Sequence, residues 1–120
     1  MIDIITLKLI ADIEFAEIVQ TSFFIENKLR IVLCDNSFID VNLSEKIPDK
    51  FGFHWETKNE NLEIFRYDNF PDSNWKYVET YPEHFHNSKQ ENVKSSPFPK
   101  DIIEGFRAFL NFINEKITLT

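Results

Sequence analysis

Phe51-Gly52-Phe53-His54-Trp55-Glu56, followed after a polar break by Leu62-Glu63-Ile64-Phe65-Arg66-Tyr67-Asp68, is the stretch on which the fold turns. Phe51, Phe53 and Trp55 alternate with Gly52, His54 and Glu56, the period of two that marks a strand with one buried face. With Asn59-Glu60-Asn61 as the loop, the two runs form a hairpin in which Trp55 faces Phe65 and Phe53 faces Tyr67. That register gathers an aromatic core face. It also sets His54 opposite Arg66 and Gly52 opposite Asp68 on the other face. A slip of one residue would break both sets, because side chains change face at every residue.

Upstream, Leu29, Ile31 and Leu33 alternate with more polar or smaller neighbours, as do Ile39, Val41 and Leu43. Asp35-Asn36-Ser37 between them tolerates turn geometry. A three-residue loop there places Leu33 opposite Ile39, Ile31 opposite Val41 and Leu29 opposite Leu43. Residues 1–24 are apolar without a clean period, and read as a short helix near Ile2–Ala11 and a strand through Glu14–Phe24. Downstream, Asp68–Ser73 reads as a turn, Trp75–Tyr81 as a strand ended by Pro82, and Glu91–Ser95 as one more short strand. Pro97 and Pro99 fit a helix start. Ile102, Phe106, Phe109, Leu110, Ile113 and Ile117 then recur as one apolar stripe of a helix over about 99–116. The expectation is an α+β fold in a single domain, 1–120. A twisted antiparallel sheet of about five strands carries the C-terminal helix on one face.

Composition narrows the class. The chain has 120 residues, 42% hydrophobic with 13 phenylalanines, enough for a packed core and too apolar for disorder. Its net charge of −7 is spread along the chain, which disfavours a broad, sequence-blind phosphate-binding face and an anionic membrane surface. Cys34 is the sole cysteine, so neither an internal disulfide nor a thiolate zinc cluster can form. The start, Met1-Ile2-Asp3-Ile4-Ile5-Thr6, lacks a basic region and does not read as a signal peptide. No apolar run reaches the length of a membrane span. A cytoplasmic protein is expected. Two glycines, Gly52 and Gly105, leave no glycine-rich nucleotide cradle.

All three histidines, both tryptophans and all three tyrosines fall between His54 and His86. Histidine can give or take a proton near neutral pH, and arginine can clamp a phosphate in two places. Two histidines, an arginine and an orienting acid suffice for metal-free cleavage of RNA. His54, Arg66, Asp68, His84 and His86 supply these types. If Tyr81–His86 is extended, His84 and His86 point to one side and Phe85 to the other. Trp75, Asn69 and Tyr81 are the candidate substrate contacts, tryptophan because it stacks on bases. Two other readings stand beside this one. His54, Asp68, His84 and His86 are a ligand set for zinc or another divalent ion, although the strong metal-binding spacings are missing. Alternatively Trp75, Tyr77 and Phe70 form the surface of a non-catalytic binding or regulatory module, a homodimer included.

The run Phe51–Glu56, then Phe65-Arg66-Tyr67-Asp68-Asn69-Phe70-Pro71, then Thr80-Tyr81-Pro82-Glu83-His84-Phe85-His86, resembles the TumE-like toxin family of bacterial and archaeal toxin–antitoxin pairs. Arg30–Val41, Glu91-Asn92-Val93 and Ser95-Ser96 share in the likeness, which spans roughly Lys28 to Ile113. The resemblance implies a small toxin neutralised by an antitoxin from a neighbouring gene, often one with a helix-turn-helix part. An endoribonuclease without metal or other cofactor is our inference from the His/Arg set. Two departures stand out. Members usually have a histidine just after the Asp-Asn-x-Pro run, where this chain has Asp72, and many begin with an amphipathic helix that this N-terminus lacks.

Overall fold

A computed structural model describes residues 3–44, 50–57, 63–69, 84–88, 93–95, 98 and 101–118. The chain opens with helix α1 (Ile4–Glu14), capped by Asp3, whose Oδ1 accepts the Ile5 amide at 3.0 Å. Seven strands follow among the described residues: β1 (Val19–Ile25), β2 (Lys28–Leu33), β3 (Phe38–Leu43), β4 (Phe51–Glu56), β5 (Ile64–Asp68), β6 (His84–Ser88) and β7 (Val93–Ser95). Helix α2 (Ile102–Thr118) comes last. Each strand pairs antiparallel with the next, so the spatial order is the chain order, β1 to β7.

The β4–β5 hairpin has the register expected from its alternation: Phe53 opposite Tyr67, His54 opposite Arg66, Trp55 opposite Phe65 and Gly52 opposite Asp68. Thr57 closes its end by donating both its amide (3.1 Å) and its hydroxyl (2.9 Å) to the Glu63 carbonyl. The β2–β3 hairpin differs from expectation. Ile31 faces Ile39 and Leu29 faces Val41, a shift of two residues. The loop is Cys34-Asp35-Asn36, because Leu33 donates to the Ser37 carbonyl at 2.8 Å and Asn36 adopts the left-handed region at φ 72°. Ser37 is buried, and its hydroxyl accepts the Trp55 indole N–H at 3.0 Å while donating to Asp35 Oδ1 at 2.5 Å. That buried pairing holds Ser37 inside the sheet rather than in the turn. A shift of two keeps every side chain on its expected face.

Other bounds move too. Among the described residues the sheet has seven strands rather than about five, with β1 starting at Val19 instead of Glu14 and β7 described over Val93–Ser95. Strand β6 takes in His84–Ser88, and the strand expected over Trp75–Tyr81 lies outside the described residues. Helix α2 begins at Ile102, three residues later than expected, because Asp101 Oδ2 takes the Glu104 amide at 3.0 Å and so caps it.

The core is one cluster on one face of the sheet. Leu29, Ile31, Leu33, Ile39, Val41, Phe51, Phe53, Trp55, Phe65, Tyr67 and Phe85 are buried against Leu7, Ile10 and Ala11 of α1 and Phe106, Phe109, Leu110 and Ile113 of α2. Phe53 lies 5.3 Å from Phe106 and Phe65 5.3 Å from Phe112, both edge to face. Arg107 clamps the helices together, holding Glu14 with two nitrogens at 2.9 and 2.8 Å. The short helix expected near Ile2–Ala11 is present as α1, Ile4–Glu14, and it is apolar on two sides rather than one. The opposite face of the sheet carries the polar members of each alternation.

Candidate functional site

The polar face is read across the strands. Register places Arg30 beside Asp40, Asp40 beside His54, His54 beside Arg66 and Arg66 beside His86, one row over five strands. A second row runs Asn42, Gly52, Asp68 and the backbone position of His84. The two groups expected separately from the sequence, His54/Arg66/Asp68 and His84/His86, thus lie on adjacent strands.

Within these rows, Arg66 Nε sits 2.7 Å from Asp68 Oδ2, and Asp68 is 1% exposed. His86 Nε2 is 4.0 Å from the same oxygen and is buried as well. His86 therefore stands behind the Arg66–Asp68 pair and away from solvent. His54 is half-buried. Burial, followed by the charge of Arg66, pushes its pKa below the ordinary histidine value against partial opposition from Glu56 and Asp40. It is neutral at pH 7, with a free lone pair in either tautomer.

A cleft of about 500 Å³ opens over this region, lined by Lys28, Asp40, Asn42, Gly52, His54 and Arg66. Asp40 closes one side. It accepts Arg30 through two hydrogen bonds, 2.8 and 2.9 Å, and Lys28 at 3.1 Å. Burial alone would raise the Asp40 carboxyl, but the hydrogen bonds from Arg30 and Lys28 together hold it below the usual carboxylate range. The Arg30 guanidinium also lies 4.3 Å from the Phe38 ring centre. Gly52 forms the floor. Among the described residues no glycine has a positive φ, so Gly52 is not there to relieve its backbone. Its missing side chain is what leaves the space.

Lys28, Arg30, Asp40, Asn42 and Gly52 were not among the site residues expected from the sequence. Their signal was the polar half of two alternations, Lys28/Arg30 and Asp40/Asn42, set against Leu29/Ile31 and Ile39/Val41. Asn69 lies at the end of β5, where its Oδ1 accepts the Phe51 amide at 2.9 Å and so prolongs the β4–β5 ladder. Trp75 and Tyr81, like Phe70, Asp72 and Tyr77, fall outside the described residues. Among the described residues no group of three or more His, Cys, Asp or Glu side chains is arranged to hold a metal ion. Among them, too, no helix is long and apolar enough to cross a membrane.

Comparison with curated proteins and with solved structures gives no match. A protein-family model described as Toxin TumE does match, and it runs from residue 4 to residue 117. That span holds both helices but for one residue, every strand and the whole cleft, and on it the chain belongs to the TumE toxin family.

Proposed function

We propose that this toxin is a metal-independent endoribonuclease and that its cleft over β2–β5 holds the scissile phosphate. The supporting observation is the row His54–Arg66–His86, anchored by Asp68. In this reading neutral His54 removes the proton from a 2′-hydroxyl, which attacks the adjacent phosphorus. The bond to the 5′-oxygen breaks, leaving a 2′,3′-cyclic phosphate, and the 5′-oxygen takes a proton from His84. Arg66, steered through Nε by Asp68, offsets charge building on the phosphate oxygens. His86 supports the Asp68–Arg66 pair and acts as a positioning residue.

The test is a purified assay on a fluorescent RNA oligonucleotide. His54→Ala and Arg66→Ala should each slow cleavage by about 100-fold or more, and a 2′-deoxy substitution at the cleaved position should abolish it. Full activity of His54→Ala would sink the mechanism. One observation favours the alternative of a non-catalytic protein-binding or regulatory module: Arg30 and Arg66 already carry carboxylate partners, which leaves little uncompensated positive charge for a phosphate. The absence of both RNA binding and product with wild-type protein at long incubation would select that reading.

A further inference from the structure

Among the described residues, every exposed large hydrophobic side chain belongs to α1 or β1: Ile5, Leu9, Ile13, Phe23, Phe24 and Ile25. Leu7, Ile10 and Ala11 of α1 turn to the core, while Ile5, Leu9 and Ile13, four residues apart, form a stripe on the outside. A helix with apolar residues on both sides is ordinarily buried on both. Here the chain covers one side, and Ile13 is 71% exposed. The stripe adjoins the row Lys8/Asp12, which faces β1 through a 2.6 Å hydrogen bond from Ser22 to Asp12. Ser22 and Phe24 share the helix-bearing face of β1, opposite core residues Ile31 and Leu29. The apolar surface thus runs from α1 over Phe24 to the strand's outer edge. Strand β1 heads the strand order, so among the described residues no strand covers that edge.

Charge narrows the occupant. The same segment carries Asp3, Asp12, Glu14, Glu17 and Glu26 against Lys8. Arg107 holds Glu14 and Lys8 holds Asp12, so Asp3, Glu17 and Glu26 leave the surface at −3. A second copy of the chain would lay −3 against −3. A partner with an apolar contact face flanked by lysines or arginines meets both the stripe and its rim. We propose that the α1–β1 surface is the docking site of such a protein segment, presented by the antitoxin that family membership implies. Phe23 and Ile25 sit on the cleft-bearing face, opposite Arg30 and Lys28, so the proposal rests on the α1 stripe and Phe24, which lie on the other face and do not depend on what the cleft does.

Isothermal titration of the full chain with the purified antitoxin encoded beside it tests this. Leu9→Asp and Ile13→Asp should weaken binding by about 100-fold or more, with an unchanged unfolding midpoint because both side chains point to solvent. Glu17→Lys with Glu26→Lys should weaken binding at low salt and flatten its salt dependence. His54→Ala should bind as wild type does. Unchanged affinity in both aspartate variants would overturn the proposal. So would a wild-type dimer in sedimentation that Leu9→Asp dissolves while antitoxin affinity holds, since the occupant would then be a second copy.

Discussion

Burial and the guanidinium of Arg66 both oppose a proton on His54, so in the folded chain it titrates below the ordinary value of 6.5. As pH falls the unfolded chain takes up that proton first, and stability should decline below about pH 6.5. Denaturant titrations at stepped pH should show His54→Gln with a flatter decline than wild type. The acid limb of the cleavage rate should likewise fall below about pH 6.5. Gly52 makes a second prediction at this scale. Valine suits a strand but places its methyl groups in the cleft. Gly52→Val should therefore cut binding of a 2′-deoxy oligonucleotide by about 10-fold or more, read by fluorescence anisotropy, with the charged groups untouched.

The β2–β3 hairpin shows at the level of the element how much was legible. Period-two alternation assigns faces, and a shift of two residues leaves all faces unchanged, so alternation could not decide between two loops. The deciding contact, Ser37 to Trp55, joins residues from different hairpins and has no local signature. Ser37→Ala should cost about 1–3 kcal/mol, because it strips the buried indole N–H of its acceptor. Equilibrium unfolding in urea would measure it. Strand β6 was legible only in part, since His84-Phe85-His86-Asn87-Ser88 has one apolar residue and no alternation to count. In α2 the stripe was plain, whereas its start was read from Pro99, and the Asp101 carboxylate caps the helix where it begins, at Ile102. The site followed the same logic. His54, Arg66 and Asp68 came from one well-phased hairpin. Lys28 and Asp40 were missed because the apolar half of their alternations carries the strand signal, and the polar half carries none of its own.

The molecule as a whole divides its labour between two faces of one sheet. Aromatic packing with α1 and α2 fills one face and leaves the polar rows on the other free to form a cleft. Phe106→Ala, buried 5.3 Å from Phe53, should cost about 3–5 kcal/mol, a large part of the roughly 5–15 kcal/mol typical of native proteins. Thermal unfolding should show it, and a loss of activity in that variant should be recovered by lowering the temperature. His54→Ala should show the reverse, near-full stability at neutral pH with cleavage slowed by about 100-fold or more.

Because each strand pairs with its successor, the sheet can grow as the chain leaves the ribosome, one hairpin at a time. Helix α1 is made first, but the part of the aromatic face around Phe53 and Phe65, on which α2 packs, is completed only when residues 102–113 follow. Every residue of the cleft is therefore translated before the helix that stabilises its floor. Ribosome-bound chains released before Ile102 should be protease-sensitive and harmless, so the cell making this toxin has the translation time of α2 in which to supply its antitoxin.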